Sequence, residues 1–116
     1  MANTFKIKSN DAMPASAGTF QDLYIVQAST TTVVLGLILC NVHTTSVTAS
    51  VKVVSNTVDT ETNVDTLVVK DVSIPAGSSL EVLSGSKLVL QTTDELEIDC
   101  SVSGKIDATL SIMEIT

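Results

Sequence analysis

A chain of 116 residues, 44% hydrophobic and 16% charged, is long enough for one compact domain with a single core and too short for two ordinary ones. Its net charge of −7 comes with six Lys, no Arg, no Trp and only Phe5, Phe20 and Tyr24 as aromatics. Neutralising phosphates takes a basic face, bidentate recognition a guanidinium and base stacking aromatic rings, so this inventory argues against a nucleic-acid reader and equally against attachment to an anionic membrane surface.

Residues 1–20, MANTFKIKSNDAMPASAGTF, contain no apolar stretch of signal-peptide length, so they do not read as a secretory signal and synthesis in the cytoplasm is expected. The segment is polar and rich in small residues, with Pro14 and Gly18, and reads as an N-terminal arm outside the strand pattern, either mobile or pinned to something else. Residues 21–116 form the domain proper.

Within that domain the vocabulary is that of strands, with 16 Val and 16 Thr. Strands are predicted over 23–28 and 32–42, the latter containing the most apolar run, Val33–Cys40 (VVLGLILC). That run is far shorter than the roughly 20 residues of a spanning helix. It is apolar on both faces, which marks a strand covered on both sides, either by the arm or by another subunit. Residues 46–55 alternate, with Val47, Ala49, Val51 and Val53 on one face and Thr48, Ser50 and Lys52 on the other. Further strands are predicted over 66–74, 80–83 and 87–91, separated by Pro75-Ala76-Gly77 and Ser84-Gly85-Ser86.

The last two strands carry the strongest pattern. Leu96, Ile98, Cys100 and Val102 point inward and Glu95, Glu97, Asp99, Ser101 and Ser103 outward; a Ser103-Gly104-Lys105 turn leads to Ile106, Ala108, Leu110 and Ile112 on the inner face. Met113 and Ile115 then switch parity across Glu114, as at a bulge or the end of a sheet. Seven or eight short strands without helical periodicity predict an all-β fold, an antiparallel β-sandwich or small barrel with an extended N-terminal arm.

Candidate chemistry is sparse. His43, at the end of a strand, has no serine elbow or second histidine beside it and reads as a turn residue. Asp59, Glu61, Asn63 and Asp65 place oxygens at alternate positions like the opening of a calcium loop. However, Val64 stands where the loop needs Gly and Lys70 where it needs Glu, so the segment reads as a solvated acidic loop. Cys40 and Cys100 read as two buried thiols, a bridge between packed sheets being the other reading. No catalytic, cofactor or metal residues are assigned and an enzyme is not expected. Residues 1–58 carry three Lys and two acids, and residues 59–116 three Lys and eleven acids. Glu95, Glu97 and Asp99 project side by side, so their face is either wet or set against a basic partner, because burying three unpaired carboxylates is prohibitive.

The stretches DLYIVQASTTTVVLGLILCNVHTTSVTASVKVV and VKDVSIPAGSSLEVLSGSKLVLQTTDELEIDCSVSGKIDATLSIMEI resemble the small virion structural proteins of tailed phages, including cyanophages. The resemblance covers about residues 21–115, and PAGSSLE with SGSKLVL is its most specific part. It implies a non-enzymatic sandwich built into a virion, foremost a capsid cement or decoration protein, the alternative being a tail, baseplate or fibre component that binds a host surface. The implied partners are the major capsid protein or other virion subunits, with a homo-oligomer, a trimer foremost, and no cofactor. Phe5, Ile7, Met13, Pro14 and Phe20 are the arm residues expected to touch a partner.

Overall fold

The computed structural model describes residues 2–55 and 62–116. Among them the chain forms nine strands and no helix. They are β1 (Asn3–Met13), β2 (Gln21–Ile25), β3 (Thr31–Asn41), β4 (Val47–Val54), β5 (Thr66–Ile74), β6 (Ser79–Glu81), β7 (Leu88–Leu90), β8 (Glu95–Cys100) and β9 (Ile106–Ile115). Two antiparallel sheets result: sheet A in the order β1-β9-β3, with β6 and β7 both on the far side of β3, and sheet B in the order β2-β8-β4-β5.

The alternating pattern builds the interior. Leu96, Ile98 and Cys100 of β8, Val47, Ala49 and Val51 of β4, and Ile106, Ala108, Leu110 and Ile112 of β9 are all buried, and Val34, Leu37 and Leu39 of β3 complete the inner face of sheet A. Each fully buried aliphatic side chain contributes about 1.5–3 kcal/mol through removal from water. Between β8 and β9 the chain turns at Gly104, whose φ of 69° lies in the left-handed region that side chains disfavour. Its N–H donates to the Pro14 carbonyl oxygen at 2.8 Å, tying this turn to the N-terminal segment.

Three expectations are corrected. The segment read as an arm outside the strands supplies β1, whose residues 3–10 pair with β9 residues 108–115 before a bulge at Asp11-Ala12. Phe5 and Ile7 alone alternate there; the segment is a strand because β9 offers its main chain, not because of a buried face. β9 itself keeps its parity to the end: Glu114 points inward and is buried, while Met113 and Ile115 lie on the outer face. The irregularity sits across the ladder in β3, where Leu35 bulges between Val34, paired with Ile112, and Gly36, paired with Ser111. Finally, both thiols are free, and Cys40 is half-buried on the outer face of sheet A rather than enclosed, since it pairs with Asp107 while its neighbours Leu39 and Asn41 point inward.

Asn41 closes one end of the sandwich. Fully buried, its side-chain N–H groups donate to the carbonyl oxygens of Thr45 at 3.0 Å and Ile74 at 2.9 Å, and its Oδ1 accepts from the His43 N–H at 2.7 Å. One amide thereby fixes the end of β3, the turn into β4 and the end of β5.

Candidate functional site

The two outer faces of the sandwich differ sharply in chemistry. On sheet A, register lines up residues from four strands that are distant in sequence: Phe5 of β1 pairs with Met113 of β9, Met113 with Val33 of β3, and Val33 with Val89 of β7. This apolar row crosses the whole sheet. Phe5 is 72% exposed, Ile7 65% and Val89 63%, and Ile38 and Leu35 are also open to solvent. The expectation that something covers the outer side of Val33–Cys40 is therefore not met by the described residues, because β1 lies beside β9 in the sheet and extends the open face instead of crossing it.

Beside the apolar row runs one with small residues on its central strands, in which Ile7 pairs with Ser111 and Ser111 with Gly36. Apart from its chain neighbours Leu35 and Leu37, no atom of the described residues lies within 4 Å of where a Cβ on Gly36 would sit, so space is open above Gly36. The next row is Ser9, Thr109 and Ile38. Among the residues paired across this face, charged side chains stand at one end, with Glu81 opposite Ile38 and Asp107 opposite Cys40.

The outer face of sheet B is acidic. Asp22 pairs with Glu97, and Glu97 with Lys52, whose Nζ lies 3.4 Å from Glu97 Oε1 and 4.4 Å from the centre of the Phe20 ring. Asp22, Glu95 and Glu97 each bring a carboxylate oxygen within 4.8 Å of the others. The alternation placed Glu95 and Glu97 on this face; Asp22 joins them only through the pairing of β2 with β8, which no local pattern announces. Crowding has a measurable consequence. Hydrogen bonding with Asp22, then burial, pushes the Glu95 carboxyl up to about 7. Burial and then Asp22 also raise Glu97, against the opposing pull of Lys52.

Because Glu95 holds its proton more tightly in the folded protein than its ordinary value of 4.5 allows, its contribution to stability is complete below about pH 4.5 and lost as pH rises through about 7. Stability should therefore fall between pH 5.5 and pH 8 by about 1 kcal/mol, water screening keeping the effect small. Thermal melts across that window should show the decline, and Glu95→Gln should flatten it and raise Tm at pH 8. An unchanged slope in the variant would remove Glu95 as the cause.

A third polar group closes the sandwich where β1 meets β2. The Tyr24 hydroxyl donates to Glu114 Oε2 at 2.5 Å and lies 2.7 Å from Thr32 Oγ1, and Lys6 Nζ is 2.6 Å from Glu114 Oε1. Lys6, then Tyr24, holds the Glu114 carboxyl below its usual range despite its burial. Burial, then Glu114, pushes the Tyr24 phenol up to about 12. This network joins β1, β3 and β9 of one sheet to β2 of the other. Glu114, the buried anion at its centre, was expected only as the point where parity switches.

The arm residues separate into two sets. Phe5 and Ile7 stand on the open face of sheet A. Met13 and Pro14 are buried inside the protein's own fold, and Phe20 is half covered beneath Lys52, so these three stabilise the sandwich rather than present a surface. His43 is in the β3–β4 turn, its backbone held by Asn41. Of the acidic loop, Asp59 and Glu61 lie outside the described residues, and Asn63 donates to Ser55 Oγ at 3.2 Å. Compared with protein-family models, curated proteins and solved structures, the chain matches none.

Proposed function

We propose that this protein is a non-enzymatic structural component of a tailed-phage virion, a cement or decoration protein that is made in the host cytoplasm, binds the assembled shell and works by packing against neighbouring subunits. The observation that carries this reading is the outer face of sheet A, where a row of apolar side chains spans four strands and is left uncovered by the described residues. Soluble monomers rarely leave contiguous patches of this kind open, and such patches mark association surfaces. The resemblance over residues 21–115 supplies the kind of assembly, with the major capsid protein as the partner.

The test is co-sedimentation of the purified protein with empty shells assembled without it. Saturable pelleting with shells is expected. Pelleting that is no greater than that of the protein alone overturns the reading, and saturable binding to isolated tails but not to shells replaces the capsid role with a tail one.

A further inference from the structure

We propose that the open face of sheet A is occupied by the same face of a second copy of this chain, giving a twofold-symmetric dimer; the inference rests on the reading of the protein as an associating structural subunit and names the first neighbour.

Three features select this occupant. The first is charge. Two chains of net charge −7 repel one another. Contact through sheet B would crowd Asp22, Glu95, Glu97 and Asp99 against their counterparts, whereas the rows from Asn3–Ile115–Thr31 to Ile7–Ser111–Gly36 carry no charged side chain and the row Ser9–Thr109–Ile38 carries one only at its end, Glu81 of β6. Uncharged faces are the ones that two acidic chains can bury without stranding carboxylates.

The second is area. β1, β3 and β9 are 10 or 11 residues long, and β6 and β7 together flank β3 as a fourth strand. At about 3.3 Å per residue and 4.8 Å between strands the face measures roughly 35 by 19 Å, about 670 Å², within the range of roughly 600–1,000 Å² that each partner contributes to a standard stable interface.

The third is shape. The ridge Phe5–Met113–Val33–Val89 lies one row from the small residues Ser111 and Gly36. A twofold axis running between the two rows sets Met113 and Val33 of each copy over Ser111 and Gly36 of the other and Phe5 over Ile7, as an isologous contact requires. Sheets packed this way interdigitate at about 10 Å separation. A surface carrying both its ridge and the complement of that ridge fits itself.

The experiment is the solution mass of the isolated full-length protein at micromolar concentration, with no shells present. The expected result is twice the chain mass of 12.1 kDa. Phe5→Asp should weaken the dimer about tenfold or more, because it sets a charge in the ridge. Gly36→Gln should do the same by placing a long side chain where the partner's Val33 would pack; the Gly36 backbone lies outside the left-handed region and its Cβ direction is open, so this variant is expected to fold, which its circular dichroism checks. Leu67→Ser, on the outer face of sheet B, should leave the dimer intact. A monomeric or trimeric wild type, or a dimer that both face variants leave unchanged, overturns the inference. The two proposals fail separately: a monomer that pellets with shells keeps the functional reading and sinks the dimer, and a dimer that ignores shells does the reverse.

Discussion

A protein lacking residues 1–18 is expected to lose most of its stability. Met13 is fully buried in the core and Pro14 is buried beside it. Removing a buried Met side chain costs about 2–5 kcal/mol by itself. The deletion also takes away the Pro14 carbonyl oxygen that accepts from Gly104, and the N–H groups of Ala17 and Gly18 that donate to Ser103 Oγ and Asp99 Oδ1. It strips Lys6 from the buried Glu114 and leaves the edge of β9 unpaired. Against a net stability of about 5–15 kcal/mol for a domain of this kind, the sum threatens the fold. Deleting residues 1–11 instead spares Met13, Pro14 and the crossing segment, and should cost much less. Urea denaturation followed by circular dichroism separates the two truncations; a midpoint for the longer deletion matching that of the full chain would show that β1 and its crossing are dispensable. For the same reason, shell binding by an arm-deleted protein tests folding before it tests recognition, and Phe5→Asp is the cleaner probe of the surface.

The second large effect is expected at Asn41→Leu. The two side chains are similar in size, so packing changes little. What changes is that the Ile74 and Thr45 carbonyl oxygens and the His43 N–H lose a partner that is itself fully buried. Each buried group left unpaired costs about 1–3 kcal/mol, and the total should be about 3 kcal/mol, the exposed side of the turn recovering part through water. Asn41→Asp keeps the acceptor for His43 but loses both donations and places a carboxylate in the interior, so it should be at least as damaging. Chemical denaturation of the three proteins gives the comparison. A Leu variant as stable as the parent would mean that the ends of β3 and β5 relax to find other partners.

Strands β8 and β9 show how much can be read from the chain alone. Each half-buried strand alternates with a period of two, so Leu96, Ile98 and Cys100, and Ile106 through Ile112, name their own faces without knowledge of any partner. β1 lacks that signal. Up to its bulge, its inward-facing positions are Thr4, Lys6, Lys8 and Asn10, opposite Glu114, Ile112, Leu110 and Ala108, and its apolar residues Phe5 and Ile7 look outward; only Met13, past the bulge, points into the core. A strand held by a neighbour's main chain and by one ion pair leaves no amphipathic trace. Glu114 was misread for a related reason. A carboxylate in an apolar run suggests a change of face, unless a cation and a phenol from other strands reach it, and Lys6 and Tyr24 are 108 and 90 residues away.

The candidate surface divides in the same way. That Val33–Cys40 needed a cover was legible, since the strand is apolar on both sides, and Phe5 and Ile7 were nominated from their chemistry. Their union into one row was not. Length, composition and alternation determined an all-β single domain, the inner face of most strands and an acidic second half, because those properties depend on side-chain period and on charge, both local. Only the tertiary structure decided that residue 5 stands in line with residues 113, 33 and 89, that Asp22 crowds Glu95 and Glu97, and that the presumed arm belongs to the sheet. Those outcomes depend on which main chains pair across the sequence and in what register, and pairing is settled by the burial of the whole sandwich at once.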